Sequence, residues 1–389
     1  MSAAVAPAGR PDPITDWHGF APSAEAALGR LAAVRPHDYA RSRNHLGGAV
    51  TGLSPYITHG LLTLPQVLDA VQQAEAARSG RPLDSEHKFI NELAWREYFH
   101  HVWRHEGKNI FASLHAGPLP DGAYARQLDA DIRAGATGVP VIDQAVRQLY
   151  ATGWLHNHAR MWLASYVVHV RKVHWRAAAD WLYGHLIDGD LASNHLSWQW
   201  VAGTGSHKPY LFNAGNVARF APEHWHSPRS VIDRSYEALD ELARSGKRIA
   251  AAPARAADAV AEPALLNQPP FDVAAAQAQD LRQAWLVHPW NLRAAPAGQA
   301  AVGVFWAGFH RRWAWSARRW HFVHQAMRAH CQKIVWCEGP PPADARTVAD
   351  PHLGGWLPPG QGEAVPRIWA DPGRRCGSFS QFWTRIRKP

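Results

Sequence analysis

The stretch from Gly153 to Trp200, GWLHNHARMWLASYVVHVRKVHWRAAADWLYGHLIDGDLASNHLSWQW, constrains the fold of this chain more than any other. Apolar residues recur at helical spacing through Leu155, Ala159, Trp162, Leu163 and Val167. A second helical run through Trp181, Leu182 and Leu186 leads into two aspartates, Asp188 and Asp190, that flank one glycine. One helix pair therefore carries His156, Asn157, Arg160, Asp188, Asp190 and Asn194 beside a series of indoles. Taken singly, each polar residue fits a solvated helix face, the default for such side chains. Taken together, an arginine and two aspartates among tryptophans point to a pocket where charge is paired and a flat aromatic ligand is held.

The rest of the composition narrows the class. At 389 residues the chain exceeds one ordinary domain, so a large domain with a smaller companion is expected. No run of about 18 apolar residues is present to span a bilayer, and the start lacks the pattern of a signal peptide, so a cytoplasmic location is expected. Cys331, Cys337 and Cys376 are odd in number and show no CxxC spacing, which argues against a disulfide framework or a thiolate cluster. The 24 histidines include no HExxH, and no functional metal site is expected. The net charge of +9 is unevenly spread: residues 271–389 hold 15 Lys and Arg against 7 Asp and Glu, leaving the longer first part near neutrality. Basicity alone therefore does not assign nucleic-acid binding to that first part.

Along the chain, residues 1–38 read as a lead-in and 39–248 as a helical domain. In the latter, NHLGGAVTGLSPYITHG brings Thr51 and Ser54 to a helix start, which suits either a phosphate or an ordinary N-cap. The helix FINELAWREYFHHVWRH over 89–105 places Glu92 and Arg96 four apart, as in an i,i+4 ion pair. A further helix is expected over 231–245. Residues 249–271, dominated by Ala and Pro, read as a linker. From 272 to 389 the pattern is strand, strand, helix, strand, a small basic α/β domain with its helix over 315–330. Its RRWAWSARRWH segment suits either stacking on bases or a basic helix with its indoles packed inward.

FINELAWREYF, TGVPVIDQAVRQLYATGWLHNHARMWLAS and IDGDLASNHLSWQW resemble the FAD-binding helical domain of the photolyase and cryptochrome family, with similarity running from about Tyr39 to Phe220. The implied fold is mainly α, a photolyase/cryptochrome-type FAD-binding helical domain followed by the small α/β C-terminal domain. The resemblance implies that Tyr39, Thr51, Leu53 and Ser54 hold the FAD phosphates and ribityl chain, with Glu92 and Arg96 lining the same cavity. Asn157 and Arg160 fall on the GWxHNxxR positions, and Arg160 is expected to pair with Asp188. Asp190 would meet the polar edge of the flavin, and Asn194 would face flavin N5. For the lesion, Glu92, Asn157, Met161, Trp95 and Trp200 occupy the places that line the dimer cavity in the branch acting on cyclobutane pyrimidine dimers. His156 followed by Asn157, rather than by a second His, favours that branch over the one repairing (6-4) lesions. The implied reaction is light-driven electron transfer from reduced FAD to the dimer and back.

Three departures accompany this resemblance. The α/β antenna domain that opens the family's chains is not expected in the roughly forty residues ahead of Tyr39, and LVHPWNLR, VGVFW and SFSQFWTRI faintly resemble pieces of it placed after the helical part. Of the family's indole relay, Trp198 and Trp175 are present, while the outer position falls near Tyr124. The phosphate loop reads VTGLS in place of TSxLS. The expected partner is DNA containing pyrimidine dimers, preferably single-stranded given the near-neutral helical domain, with a monomer implied. A cryptochrome-like photoreceptor without repair activity stays open, as does a flavoprotein with neither role.

Overall fold

The computed structural model describes residues 19–250 and 259–387. The first part is helical: α1 Ala24–Ala32, α2 Pro36–Ser42, α3 Ser54–Thr58, α4 Leu64–Ser79, α5 Lys88–Glu106, α6 Ala130–Arg133, α7 Pro140–Thr152, α8 Asn157–Ser165, α9 Trp175–His185, α10 Leu191–Ala202, α11 Ala214–Phe220 and α12 Tyr236–Arg244. Local chemistry sets many of their ends. Thr63 and Gln66 form a reciprocal capping box at α4, Asp190 caps α10 through the Ser193 N–H, and glycines with positive φ, Gly153 and Gly203, stop α7 and α10. α12 starts later than the hydrophobic run suggests, because Ser235 is the residue that caps it.

Helix α10 is buried over most of its surface, polar His195 and Gln199 included, and packs against α5, α8 and α9. Trp162, Leu155, Leu163 and Leu186 are fully buried in the core between these helices. A one-turn π-helix, Tyr166–Val170, prolongs α8, and Arg171 closes the turn with ion pairs to Asp129 and Asp131.

The second part carries β1 Leu265–Leu266, β2 Ala274–Ala275, α13 Ala278–Leu281, β3 Trp285–Val287, β4 Ala301–Trp306, α14 Ala307–His310, β5 Trp315–Ser316, α15 Ala317–Arg328, β6 Lys333–Cys337, β7 Val348–Ala349, β8 Glu363–Ala364 and α16 Phe379–Ile386. Four strands form one sheet in the order β2-β6-β4-β3, every pairing parallel, with α15 as the crossover from β4 to β6. The continuous apolar run of β4 is what a strand buried on both faces requires. LVHPWNLR and VGVFW contribute β3 and β4 to this sheet, whereas SFSQFWTRI forms α16 and packs on α5. Trp315 and Ser316 do not belong to α15; they pair antiparallel with Leu266 and Leu265.

Of the Ala/Pro-rich stretch, residues 251–258 lie outside the described residues. Beyond them the chain is attached: the Val260 N–H donates to the Ala134 carbonyl, and Glu262 accepts from the Trp181 indole at 2.9 Å. The two parts share one hydrophobic core, in which Tyr183 and Leu191 meet Trp315 and Trp320. The RRWAWSARRWH segment turns inward: Trp315, Trp320 and Arg319 are all fully buried. Arg319 lies over the Trp315 ring at 4.0 Å and donates to the Gly189 carbonyl at 2.6 Å. Among the described residues no helix is long and apolar enough to cross a membrane, and the three cysteines are free and buried.

Candidate functional site

The Asp188–Asp190 turn is where the two parts of the molecule meet around a cavity. Arg160, one turn into α8, reaches back to it: its Nη2 bonds both Asp188 carboxylate oxygens at 3.0 and 2.8 Å, and its Nε donates to the Leu155 carbonyl. The Asp188 side chain is buried and has no other hydrogen-bonding side chain among the described residues, so this pair neutralises its charge. From the other side, Arg319 fixes the Gly189 carbonyl and Thr58 donates to the Asp188 carbonyl. Gly189 is required here, since a Cβ would meet the Arg319 guanidinium at 2.6 Å and the Tyr183 carbonyl at 2.8 Å.

Asp190 is fully used. One oxygen caps α10, while the other takes His100 at 3.0 Å and Arg96 at 3.3 Å, both from α5. Burial opposes ionisation of Asp190, but His100 and Arg96 prevail and hold its carboxyl well below the usual range. Arg96 is therefore directed to Asp190 and Thr58 rather than to Glu92 four residues before it. Glu92 pairs instead with Lys88 at 2.9 Å and with Arg43 at 3.3 Å. The i,i+4 pair read from sequence thus gives way to partners from another helix turn and from beyond the helix.

Two adjoining cavities open here, of about 290 and 460 Å³. Glu92, Trp95, Asn157 and Met161 line both; Ser54, Arg96, Arg160, Asp188, Asp190, Asn194 and Trp198 line the first, Tyr39 and Trp200 the second. Thr51 and Leu53 line neither. Leu53 is buried, and the Thr51 hydroxyl accepts from the Leu53 N–H. The Asn194 amide nitrogen donates to the Ala179 carbonyl at 2.8 Å, which leaves its oxygen as a free acceptor. Asn157 contacts the Met161 sulfur, and Ser54 accepts from the Trp154 indole. Tyr39, held up by burial and by the nearby Glu92, keeps its phenol protonated. His156, which caps α8, is pushed down to about 4 by burial and by His158 and Arg160, so it caps as a neutral ring.

Trp198 and Trp175 are both buried, and Trp175 continues through His174, 5.6 Å between ring centres, to Tyr124 at 6.3 Å from His174. Sequence reasoning missed three contributors: His100, Arg319 and Phe379. The Phe379 ring, from α16, lies flat on Trp95 with centroids 4.0 Å apart and planes 6° apart. The apolar spacing of SFSQFWTRI marks an amphipathic helix, but nothing local says which surface it covers. Elsewhere, His101, His105 and Asp371 bring ligand atoms within 4.8 Å of one another, yet Arg104 and Arg367 already occupy Asp371.

Fold and site together define a helical protein whose cavities suit a phosphate-bearing, flat aromatic cofactor. Guanidiniums of Arg43, Arg96 and Arg160 face the cavities, amides of Asn157 and Asn194 provide directed hydrogen bonds, and the buried Ser193 hydroxyl on the cavity wall has no partner of its own. Residues 89–261 match the family described as the FAD binding domain of DNA photolyase. Over that part the chain is similar to the FAD-binding domain of the photolyase and cryptochrome family. The deoxyribodipyrimidine photo-lyase of Synechococcus sp. is 35% identical over 222 residues, covering 52% of this chain and 44% of the relative. A cryptochrome DASH of Idiomarina loihiensis is 29% identical over 211 residues, covering 52% and 46%. A solved class III photolyase from Agrobacterium tumefaciens aligns with a TM-score of 0.46 at 26% identity, over 55% of this chain and 46% of that one. The chain spans less than half the length of the curated relatives it matches.

Proposed function

We propose that this chain is a light-dependent, FAD-containing DNA repair enzyme of the deoxyribodipyrimidine photo-lyase type, acting on cyclobutane pyrimidine dimers. One observation carries the reading: Glu92, Trp95, Asn157, Met161 and Trp200 surround adjoining cavities that also reach Arg160, Asp188 and Asn194. Bound FAD supplies the electron that light drives onto the dimer and that returns after the ring bonds part.

The protein's own groups bind and orient. Trp95 and Trp200 offer flat faces for the two splayed bases. Lys88 and Arg43 fix the Glu92 carboxylate so that its oxygens accept from a base N–H, and the Asn157 amide bonds a base carbonyl. Arg160, with its charge balanced by Asp188, would stabilise negative charge on a bound flavin, and the Asn194 oxygen would accept a flavin N–H. Trp198, Trp175 and Tyr124 form the route by which the flavin is reduced from the surface.

The test is illumination of the reduced protein with thymine-dimer oligonucleotides, single- and double-stranded. Dimer loss is expected, faster on single strands, and Glu92→Ala or Asn157→Ala should lower it while flavin stays bound. A cryptochrome-like photoreceptor is the second reading, favoured by the Phe379–Trp95 stack, which ties the cavity wall to a C-terminal helix. Loss of no dimer from either substrate, with light-dependent flavin absorbance intact, would select it.

A further inference from the structure

Helix α16 is amphipathic. Phe379, Phe382, Trp383 and Ile386 fall on one face at helical spacing, and Ser380, Gln381, Thr384 and Arg385 fall on the other. The apolar face is used: Phe379 stacks on Trp95, which lines both cavities described above, and the Trp383 ring centre lies 6.0 Å from that of Phe379 and 5.6 Å from that of Trp369. The polar face is open. With Pro372 and Arg374 it walls a concavity of about 600 Å³ that contains no acidic residue.

Charge around this concavity is unbalanced. Residues 372–389 hold Arg374, Arg375, Arg385, Arg387 and Lys388 and no Asp or Glu. The acids that face the segment are taken: Asp371 by Arg104 and Arg367, Glu106 by Arg375, and Glu86 by Arg387. Arg374 and Arg385 are left without a carboxylate partner among the described residues. Arg385 uses only Nη1, which donates to the Arg375 carbonyl at 3.3 Å and to the Cys376 sulfur at 3.2 Å, and Arg374 is exposed. Gln381 accepts the Gly377 N–H at 2.7 Å, which leaves its amide nitrogen as a further donor beside the exposed Ser380 hydroxyl. Guanidiniums without acids, set among small polar donors, match the oxygens of a phosphodiester backbone. The longer helical part, near neutrality, has no comparable excess of positive charge.

We propose that the outer face of α16 and the Arg374 loop form a contact surface for the sugar-phosphate backbone of a DNA strand beside the cavity, an assignment that takes from the repair reading only that DNA is the substrate. A strand whose base enters the cavity at Trp95 passes this face within a few nucleotides, since a helix is about 10 Å across and a duplex strand advances about 3.4 Å per nucleotide. The surface reads no sequence. It positions the strand and steepens the salt dependence of binding.

The test uses the full chain in the dark, with its flavin content recorded, and follows the anisotropy of a labelled, undamaged single-stranded oligonucleotide from about 50 to about 200 mM salt. Arg374→Gln combined with Arg385→Gln should lower the slope of log K against log salt by about 1.4, because each phosphate contact on a single strand contributes about 0.7. Arg385 also bonds its own segment, so Arg374→Gln is measured alone and should lower the slope by about 0.7. Ser380→Asp keeps both guanidiniums, places an acid in the first turn where it suits the helix, and should weaken binding at every salt concentration. Flavin content should be the same in each variant. An unaltered slope in both arginine variants, no binding by the wild type at the lowest salt, or displacement by polyglutamate as readily as by unlabelled oligonucleotide, each overturns the assignment. Dimer loss under light is scored separately: repair with an unaltered slope rejects this surface and keeps the repair reading, whereas a lowered slope without repair does the reverse.

Discussion

Removal of the Arg160 side chain is the sharpest perturbation of the site. The Asp188 carboxylate is 1% exposed and among the described residues hydrogen-bonds to no other side chain than Arg160, so Arg160→Ala leaves a buried charge with only the more distant Arg319 to offset it. Breaking such a pair costs about 3–5 kcal/mol. Arg160 is one-quarter exposed, so the attraction is partly screened and the lower end, about 3 kcal/mol, is expected. Asp188→Asn in the Arg160→Ala background removes the orphaned charge and should recover at least half of the deficit. The cycle of two single variants and the double, followed by urea unfolding with tryptophan fluorescence and circular dichroism, isolates the coupling. A deficit below about 1 kcal/mol, or no rescue by Asp188→Asn, would refute the reasoning.

The wild-type protein should lose stability between pH 6.5 and 4, because burial holds His59 to about 3 and His169 and His288 to about 4, so the unfolded chain binds protons there that the fold does not. On the order of 3 kcal/mol per histidine is at stake at the acid end, read as a fall in Tm across that window; a flat profile would contradict it. Gly60→Ala should weaken the contact between the two parts, since Gly60 has φ +65° and its new Cβ would meet the Trp290 carbonyl at 2.5 Å; limited proteolysis should then cut the Ala/Pro-rich stretch sooner. Phe379→Ala removes an aromatic pair worth about 1 kcal/mol and should alter Trp95 emission and, on the proposed repair reading, light-driven dimer loss, while flavin content is retained.

What could be read from sequence is what local chemistry decides. Asp190 and Gly153 act as caps within a few residues of where they stand, and Asn157, Met161, Asn194 and Trp198 face one cavity because helical spacing and a short turn leave them little choice. Contacts between distant segments were not legible. Glu92 has Arg96 at ideal helical spacing, but Arg43 enters from outside the helix and Asp190 draws Arg96 away. Arg319 reads as a solvated arginine in a basic run, yet it is fully buried because the Gly189 carbonyl and two aromatic rings receive it. Neither outcome is encoded within a window of adjacent residues.

The placement of Arg319 and Phe379 also sets an order of events during synthesis. The ribosome releases the residues of α5, α8 and α10 well before the guanidinium that braces the Asp188–Asp190 turn and the ring that covers Trp95. A chain halted after α12 would lack both the brace on the Gly189 carbonyl and the ring that covers the Trp95 indole. The sheet part thus adds a brace and a covering ring to a helical cup whose own cavity-lining residues all precede it in the chain.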